Sequence, residues 1–203
     1  MPEVKSRRAQ YSEATRAALL ETATQMFAER GFAGTALADV AATAQVTRGA
    51  VYHHFENKEA LFRSVFEVLE ADMAERSRAA YENADDPLQG SFASMNAFLD
   101  RSCDPVYGEI VWRQGPIAFG WSEWKQCEEE FALGLIADIL RDLVDSGRTG
   151  PIPVETTARL AFSLLGGAGM ALVDAEESDK PQVKAECIQV MGWFIAGLLH
   201  AEA

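Results

Sequence analysis

The amino-acid sequence predicts an all-α fold of about nine helices. Apolar residues recur at helical spacing along most of the chain, whereas the strict alternation that is typical of strands is almost absent. Gly and Pro residues interrupt this periodicity at intervals and divide the chain into separate helices. Of the 203 residues, 48% are hydrophobic and 24% are charged, which is the composition of a globular protein with a sizeable core.

The first four helices are predicted from apolar stripes and from the residues that limit them. Helix 1 is expected over residues 12–30, where Gly31 provides a C-terminal stop. Thr35 and Thr47 are the predicted N-caps of helices 2 and 3, and helix 4 opens at Lys58. One face of helix 2 collects the apolar residues Leu37, Val40, Ala41 and Ala44.

The later helices are predicted from aspartate and proline pairs and from breaks in the chain. Helices 5, 6 and 9 are each expected to begin at an aspartate that proline closely follows, namely Asp86, Asp104 and Asp179. Gly115-Pro116 is the predicted break before a long helix 7 over residues 122–145. Helix 8 is expected to follow Pro153.

Helix 3 has very little apolar surface to bury. Only Val51 and Phe55 share an apolar side. The opposite side and its flanks carry small residues and hydrogen-bond donors: Arg48, Gly49, Ala50, Tyr52, His53 and His54. In a helix-turn-helix unit, the start of the second helix enters the major groove of DNA, where Arg binds guanine and small apolar groups contact the thymine methyl. We therefore predict a helix-turn-helix DNA-binding domain built from the first three helices.

The charge of the chain is divided unevenly along its length. The formal net charge is −13, but residues 1–64 hold 8 Lys and Arg against 7 Asp and Glu, a net charge of +1. Residues 65–203 hold 10 against 24, a net charge of −14, and are expected to repel DNA. Lys5, Arg7 and Arg8 are predicted to form an arm before helix 1 that either contacts DNA or stays solvated.

The first four predicted helices and their turns carry a set of residues at fixed spacing. The set consists of Gly31, Phe32, Gly34, Thr35, Leu37, Val40, Ala41, Ala44, Val46, Thr47, Arg48, Gly49, Tyr52, His54, Phe55, Lys58, Leu61 and Phe62. With these residues, the segment from 12 to 66 resembles the TetR family of one-component transcriptional repressors. One departure is Gln45, because the family usually has Gly in this turn and Gln tolerates a positive φ less well.

The resemblance implies two domains, with the arm and the DNA-binding domain over residues 1–56 and an effector-binding and dimerisation domain over 57–203. The double-stranded DNA operator would be palindromic. Its phosphates are expected to meet Thr35, Tyr52, His54 and Lys58, next to the cap residue Thr47. Its base edges are expected to meet Arg48, Gly49, Ala50 and His53.

The resemblance also implies a homodimer formed through helices 8 and 9. Helix 9 independently favours a partner, because it carries more apolar surface between Cys187 and Leu199 than a terminal helix needs. In helix 8, Gly166, Gly167 and Gly169 are each unfavourable by about 1 kcal/mol relative to Ala. Either a close helix crossing or space for a ligand would explain these glycines.

A cluster of large side chains beside helix breaks is the predicted effector site. Each of these residues, taken singly, also fits an ordinary core. Because the family encloses an effector among its middle helices, we expect a small hydrophobic effector here. Glu109, Arg113, Gln114 and Cys127 are candidate polar contacts, and Glu128, Glu129 and Glu130 are assigned to a solvated face. The predicted site consists of Met95, Phe98, Trp112, Phe119, Trp121, Trp124 and Met170.

Composition argues against several other functions. The only histidines are His53, His54 and His200, and the three cysteines are widely spaced, so we expect no catalytic residue, no metal site and no cofactor. No run of about 18 apolar residues and no signal peptide is evident, which predicts a cytoplasmic protein without a membrane span. Two alternatives stay open: an enzyme on the same helical fold, and a DNA-binding protein without an effector.

Overall fold

The computed structural model describes residues 7–200, apart from the side chain of Arg8, and this part of the chain is helical without any strand. The all-α prediction and the count of nine helices are confirmed for the described residues when the segment 105–119 is taken as one irregular helix. The helices are α1 (Arg7–Gly34), α2 (Leu37–Thr43), α3 (Arg48–His54), α4 (Lys58–Glu82), α5 (Pro87–Ser102), α6 (105–119), α7 (Trp121–Asp145), α8 (Val154–Asp174) and α9 (Lys180–Leu199).

Helix α1 begins earlier than the sequence predicted. Arg7 and Arg8 belong to its first turn and not to a preceding arm, whereas Lys5 lies outside the described residues. The predicted stop at Gly31 coincides with a kink, where the backbone has φ 71° and ψ 172°. One further helical turn then leads to Gly34.

The caps agree with the sequence predictions except at α2 and α9. Asp86 and Asp104 each accept hydrogen bonds from backbone N–H groups of the helix that follows. Thr35 does not cap α2, because its hydroxyl instead donates to the carbonyls of Met26 and Gly31. Asp179 stands at the start of α9 without a side-chain cap bond.

The turn between α2 and α3 depends on Gln45. Its φ of 56° makes it the one non-glycine residue in the described chain with a positive φ. A side chain in this left-handed conformation is unfavourable by about 1 kcal/mol, because Cβ approaches the following carbonyl oxygen. The turn therefore keeps the left-handed backbone that glycine adopts freely, despite the missing glycine.

Helix α6 consists of three consecutive pieces. An α-helical turn, Pro105–Tyr107, leads into the π-helical stretch Gly108–Gln114, and α-helical residues Gly115–Phe119 complete it. The predicted break at Gly115-Pro116 is wrong, because Pro116 lies in a first helical turn, where its missing N–H is tolerated. The chain breaks instead at Gly120, whose φ is 75°. Wide π turns are rare and occur frequently at functional sites.

The N-terminal unit, α1 to α3, and the body, α4 to α9, share one hydrophobic core. Phe27 of α1 packs edge-on against Phe62 of α4 with ring centroids 5.0 Å apart. Phe62 and Phe66 in turn pack edge-on against Phe119 of α6, at 5.3 Å each. The first part of α4 is thereby held between α1 of the N-terminal unit and α6 of the body.

Helices α8 and α9 leave large apolar side chains on the surface of the single chain. Leu160 and Leu164 of α8 and Val190 and Trp193 of α9 are exposed, with Trp193 at 65%.

By length and composition alone, Val154–Asp174 is the one described helix that is apolar enough to cross a membrane. A helix that packs inside a protein passes the same test, so this is weak evidence for a span.

Candidate functional site

The exposed face of α3 is positioned by two buried anchors. Val51 and Phe55 are 0% and 3% exposed, as the sequence predicted. The face defined by Thr47, Arg48, Gly49, Tyr52 and His53 is exposed, and Ala50 and His54 are half-buried beside it. Side chains and backbone at the start of α3 are therefore accessible to a partner.

Local contacts orient the polar groups of this face. The Arg48 guanidinium lies 5.7 Å from the centre of the Tyr52 ring, a cation–π arrangement. The Thr47 hydroxyl accepts a hydrogen bond from the Ala50 N–H at 3.2 Å and caps α3 as predicted. Burial lowers the pKa of His54, as do the nearby His53 and Arg16, so His54 is neutral at pH 7.

Two of the predicted DNA contacts are engaged inside the protein. Thr35 is only 2% exposed and its hydroxyl is used by backbone carbonyls, so its side chain is not available to DNA in this conformation. The half-buried Lys58 donates from Nζ to the Phe32 carbonyl at 2.8 Å and lies 4.4 Å from the centre of the Phe32 ring. A lysine ammonium has three N–H donors, so this bond leaves donors free.

The backbone of Phe32 joins the N-terminal unit to the body, and we call this contact the Phe32 junction. Its carbonyl is held by Lys58 of α4, and its N–H donates to Oε1 of Gln114 at 2.8 Å. Gln114 lies in the π-helical stretch, and its Nε2 donates to Glu109 of the same stretch at 2.8 Å. A Cβ at Gly31 would come within 3.0 Å of the Gln114 Oε1 and crowd this acceptor, and the φ of 71° also favours glycine.

A cavity of about 120 Å³ lies in the body, bounded by α4, α5, α6, α7, α8 and α9. Its walls are mainly aliphatic and aromatic, which is typical of a site for a small molecule. Three predicted effector residues line it, namely Met95, Phe98 and Trp112. The same Trp112 belongs to the π-helical stretch that ends at Gln114, so one short segment faces both the cavity and the Phe32 junction.

The other four predicted effector residues do not line this cavity. Phe119 belongs to the aromatic core between α4 and α6. Trp124 is buried behind Trp112, where its indole N–H donates to the Val111 carbonyl at 3.0 Å. Trp121 and Met170 are 58% and 37% exposed. The prediction treated sequence proximity to helix breaks as proximity to one cavity, and long-range packing separates these residues.

Sequence reasoning missed an acidic residue in the cavity wall. Glu128 is 4% exposed and lines the cavity, so the assignment of this residue to a solvated face is wrong. Its neighbour Glu129 is half-buried and Glu130 is exposed. The missed signal is helical spacing, because Glu128 follows the buried Trp124 by four residues and precedes the buried Leu135 by seven.

Several buried polar atoms of the body have no hydrogen-bond partner. Among them are Nε1 of Trp112 and Oε1 of Glu128, two residues of the cavity wall, and Oε2 of Glu70, which does not line the cavity. Glu70, which is fully buried, accepts from the Tyr107 hydroxyl through its other oxygen at 2.6 Å. Buried polar groups are normally paired, and leaving one unpaired is unfavourable by about 1–3 kcal/mol.

Burial favours the protonated form of both acids. Desolvation raises the pKa of Glu70 to about 7, against opposing contributions from the Tyr107 hydrogen bond and Arg101. Desolvation also raises the pKa of Glu128 well above its ordinary value, and the nearby Glu70 adds to the effect. Glu128 therefore presents a neutral carboxylic acid, which both donates and accepts hydrogen bonds.

The three glycines of α8 have different surroundings. A Cβ at Gly169 would come within 2.5 Å of the Trp112 ring, so this glycine permits a close crossing between α8 and α6. Gly166 lines the cavity and has open space around it. Gly167 also faces open space. A close helix crossing therefore explains Gly169, whereas Gly166 borders the cavity, and space for a ligand stays a prediction there.

The other polar candidates lie away from the cavity wall. Arg113 donates to the Val173 carbonyl of α8 at 2.7 Å, and Cys127 is near Arg63. Cys103, Cys127 and Cys187 are free, half-buried thiols. Within residues 7–200, no three His, Cys, Asp or Glu side chains come together closely enough to hold a metal ion.

Both parts of the chain match known families. The family model described as bacterial regulatory proteins, tetR family, matches residues 19–65. The model described as tetracyclin repressor-like, C-terminal domain, matches residues 88–198. These two ranges contain the exposed face of α3 and all of the cavity wall that lies on α5 to α9.

Individual relatives extend the similarity over most of the chain. The transcriptional regulator TtgR of Pseudomonas putida is 41% identical over 157 residues, which cover 74% of this chain and 74% of that protein. The transcriptional repressor DhaR of a Mycobacterium species is 38% identical over 86 residues, so the match spans only 43% of DhaR and 40% of this chain. A TetR-family transcriptional regulator from Pectobacterium atrosepticum superposes with a TM-score of 0.82 at 28% identity, covering 98% of this chain and 100% of that one.

The buried acids predict a specific dependence of stability on pH. Glu70 ionises near pH 4.5 when unfolded but only at about pH 7 when folded, so the unfolded state gains stability as the pH rises from about 4.5 to about 7. A Glu70→Gln variant keeps an acceptor for Tyr107 and does not titrate. Its free energy of unfolding, measured by urea denaturation, should exceed that of the unsubstituted protein by an amount that grows as the pH rises from about 4.5 to about 7. The exposed Glu130→Gln serves as the control, and parallel pH curves for Glu70→Gln would contradict the assignment.

Proposed function

This chain belongs to the TetR family of bacterial transcriptional regulators, and we propose that it represses transcription from a palindromic operator until a small hydrophobic effector releases it. One observation carries the proposal: the π-helical stretch that contributes Trp112 to the cavity also holds the Phe32 backbone through Gln114. We further propose that residues 1–56 form the DNA-binding domain and 57–203 the effector and dimerisation domain, working in the cytoplasm. The family consists of regulators, which favours this interpretation over an enzyme on the same fold.

In this proposal, the exposed face of α3 reads the operator. Arg48, Gly49 and Ala50 meet base edges, because they begin the helix that enters the major groove, and the exposed His53 joins them one turn after Gly49. Thr47, Tyr52, His54 and Lys58 hold phosphates around it. His54 does so as a neutral donor, and Lys58 through the N–H groups that its bond to Phe32 leaves free. Thr35 is withdrawn from the set because its hydroxyl is buried.

Two substitutions separate base reading from phosphate binding. Lys58→Ala should weaken binding to all DNA sequences and flatten the slope of log affinity against log salt by about one for each phosphate that the lysine no longer neutralises. Arg48→Ala should instead reduce discrimination between operator and mutant sites by about 1–3 kcal/mol per base pair. Affinities measured across salt concentrations test both, with the exposed Lys125→Ala of the body as control. An unchanged slope in Lys58→Ala would leave this residue only its role at the Phe32 junction.

We propose that two chains pair through α8 and α9 in a four-helix arrangement. Leu160, Leu164, Val190 and Trp193 are exposed on these two helices in the single chain, and a second copy offers the same surface in return. Large exposed apolar side chains on two helices that contact each other favour an interaction site. Such a dimer would set two α3 helices about 34–36 Å apart, or a multiple of that spacing, to match a palindrome.

Sedimentation tests the dimer directly. The purified protein at micromolar concentration should sediment at twice 22.2 kDa. Trp193→Asp should dissociate it, because the substitution places a charge in the proposed apolar interface. Val68→Asp, at an exposed apolar residue of α4, is the matched control and should stay dimeric. A monomeric unsubstituted protein would refute the pairing.

Effector release follows from the connection between the cavity and the Phe32 junction. A ligand that enters the cavity contacts Trp112, whose segment is packed closely against Gly169 of the dimer helix α8. Movement of this segment reaches Phe32 through Gln114, and α4 moves with it through Lys58. The ligand lowers operator affinity if it prefers the arrangement in which the two N-terminal units no longer match the operator spacing.

The variant Gln114→Met tests this route, because it keeps side-chain length but removes both amide hydrogen bonds. In the unsubstituted protein, a hydrophobic compound that changes tryptophan fluorescence should lower operator affinity by about 5- to 150-fold, and operator must weaken its binding equally. In Gln114→Met both ligands should still bind, with the coupling factor reduced towards one. Gln126→Met, on the exposed face of α7, is the control. An undiminished coupling factor in Gln114→Met would exclude the route.

A further inference from the structure

We infer that the effector is a compact, electrically neutral molecule with a hydroxyl group on an otherwise apolar skeleton, and that Trp112 and Glu128 bind this hydroxyl. This inference rests on the proposed function, since it specifies the ligand of the same cavity. It depends on the chemistry of the cavity wall, on the two unpaired polar groups in it, and on where they lie.

The cavity wall excludes charged ligands. Among the described residues that line it, Glu128 is the one ionisable side chain, and no Lys, Arg or His accompanies it. An anion would therefore lose its hydration without gaining a counter-ion, and it would face Glu128 with Glu70 behind it. A carboxylate or phosphate ligand is disfavoured on both grounds.

A cation is disfavoured for a different reason. It would have to ionise Glu128 inside the protein, where burial and the neighbouring Glu70 both oppose the charged form. A cation would also bring no acceptor for the unpaired Trp112 N–H. The attraction between two buried charges offsets the cost of removing both from water only when every remaining polar group is hydrogen-bonded.

A neutral hydroxyl satisfies both unpaired groups. Its oxygen accepts from the Trp112 Nε1–H, and its hydrogen is donated to the Glu128 Oε1. Trp124 connects the two residues, because Trp112 packs against Trp124 with ring centroids 5.7 Å apart and Glu128 follows Trp124 by one helical turn. Two serines of the wall already have acceptors within the protein, since Ser91 donates to the Leu88 carbonyl at 2.7 Å and Ser77 donates to the Met73 sulfur at 3.6 Å.

The remaining wall selects an apolar and partly aromatic skeleton. Phe98 packs edge-on against Trp112 at 6.2 Å, and Phe131 and Phe162 add further rings to the wall. Aliphatic side chains such as Leu135 and Ile139 complete it. A cavity of about 120 Å³ suits a molecule of one or two rings rather than a long chain.

Four probes that share one skeleton test the inference on the unsubstituted dimer. Naphthalene, 1-naphthol, 1-naphthoate and 1-naphthylmethylammonium differ only in the group offered to Trp112 and Glu128. Calorimetric titration at pH 7 should give 1-naphthol about tenfold higher affinity than naphthalene, the gain expected when two buried groups become paired. The anion and the cation should each bind at least about tenfold more weakly than 1-naphthol. Equal binding of naphthalene, tighter binding of either ion, or no binding of 1-naphthol would overturn the inference.

Variants then assign the hydroxyl to its partners. Trp112→Phe and Glu128→Leu should each still bind naphthalene. In each variant the ratio of the affinity for 1-naphthol to the affinity for naphthalene should fall towards one. Glu128→Gln, which retains a donor and an acceptor, should keep the preference, and the exposed Glu130→Gln is the control. Preference that survives in both Trp112→Phe and Glu128→Leu would overturn the assignment. If a substitution prevents folding, the four probes on the unsubstituted protein still decide.

Operator affinity separates a failure of this inference from a failure of the proposed function. If 1-naphthol is preferred yet leaves operator affinity unchanged, the proposed release mechanism fails and the ligand class stands. If naphthalene and 1-naphthol bind equally and both release the operator, the hydroxyl requirement fails and the release mechanism stands.

Discussion

The backbone of one residue, Phe32, connects the two halves of this regulator. Its carbonyl and its N–H are held from opposite sides, by Lys58 of α4 and by Gln114 of α6. Because hydrogen bonds require defined distances, the N-terminal unit cannot shift relative to α6 without breaking or redirecting one of them. The kink at Gly31, the aromatic packing of Phe62 and the π-helical geometry at Gln114 all serve this contact.

The cavity leaves polar groups unpaired that a fully packed core would not contain. Glu70, Glu128 and Trp112 each carry an unpaired buried atom, and burial favours the neutral form of both carboxylic acids. A core optimised only for stability would replace such groups with hydrocarbon. Trp112 and Glu128 lie in the cavity wall, where the proposed ligand would complete their hydrogen bonding.

Features that depend on nearby residues were predictable from the sequence, and features that depend on packing were not. The caps at Asp86 and Asp104 and the anchors Val51 and Phe55 follow from spacing within one or two turns. The sequence predicted that Thr35 caps α2, but beside the kink at Gly31 its hydroxyl donates to the carbonyls of Met26 and Gly31 in α1. The π-helical stretch, the Phe32 junction and the role of Glu128 need contacts between residues far apart in the chain, which periodicity does not contain. Trp121 and Trp124, three residues apart, illustrate this, since one is exposed and the other buried.

The cavity wall and the exposed face of α3 share no residue, although α4 links them over its 25 residues, a length of about 37 Å. Selection can therefore act on the two sets separately. After duplication of the gene, one copy can accumulate changes at positions such as Glu128 and acquire a new inducer while inheriting its operator intact. Changes in the exposed face of α3 can likewise give a new operator while the inducer stays the same. Inducer specificity and operator specificity can therefore diverge independently from one ancestral protein.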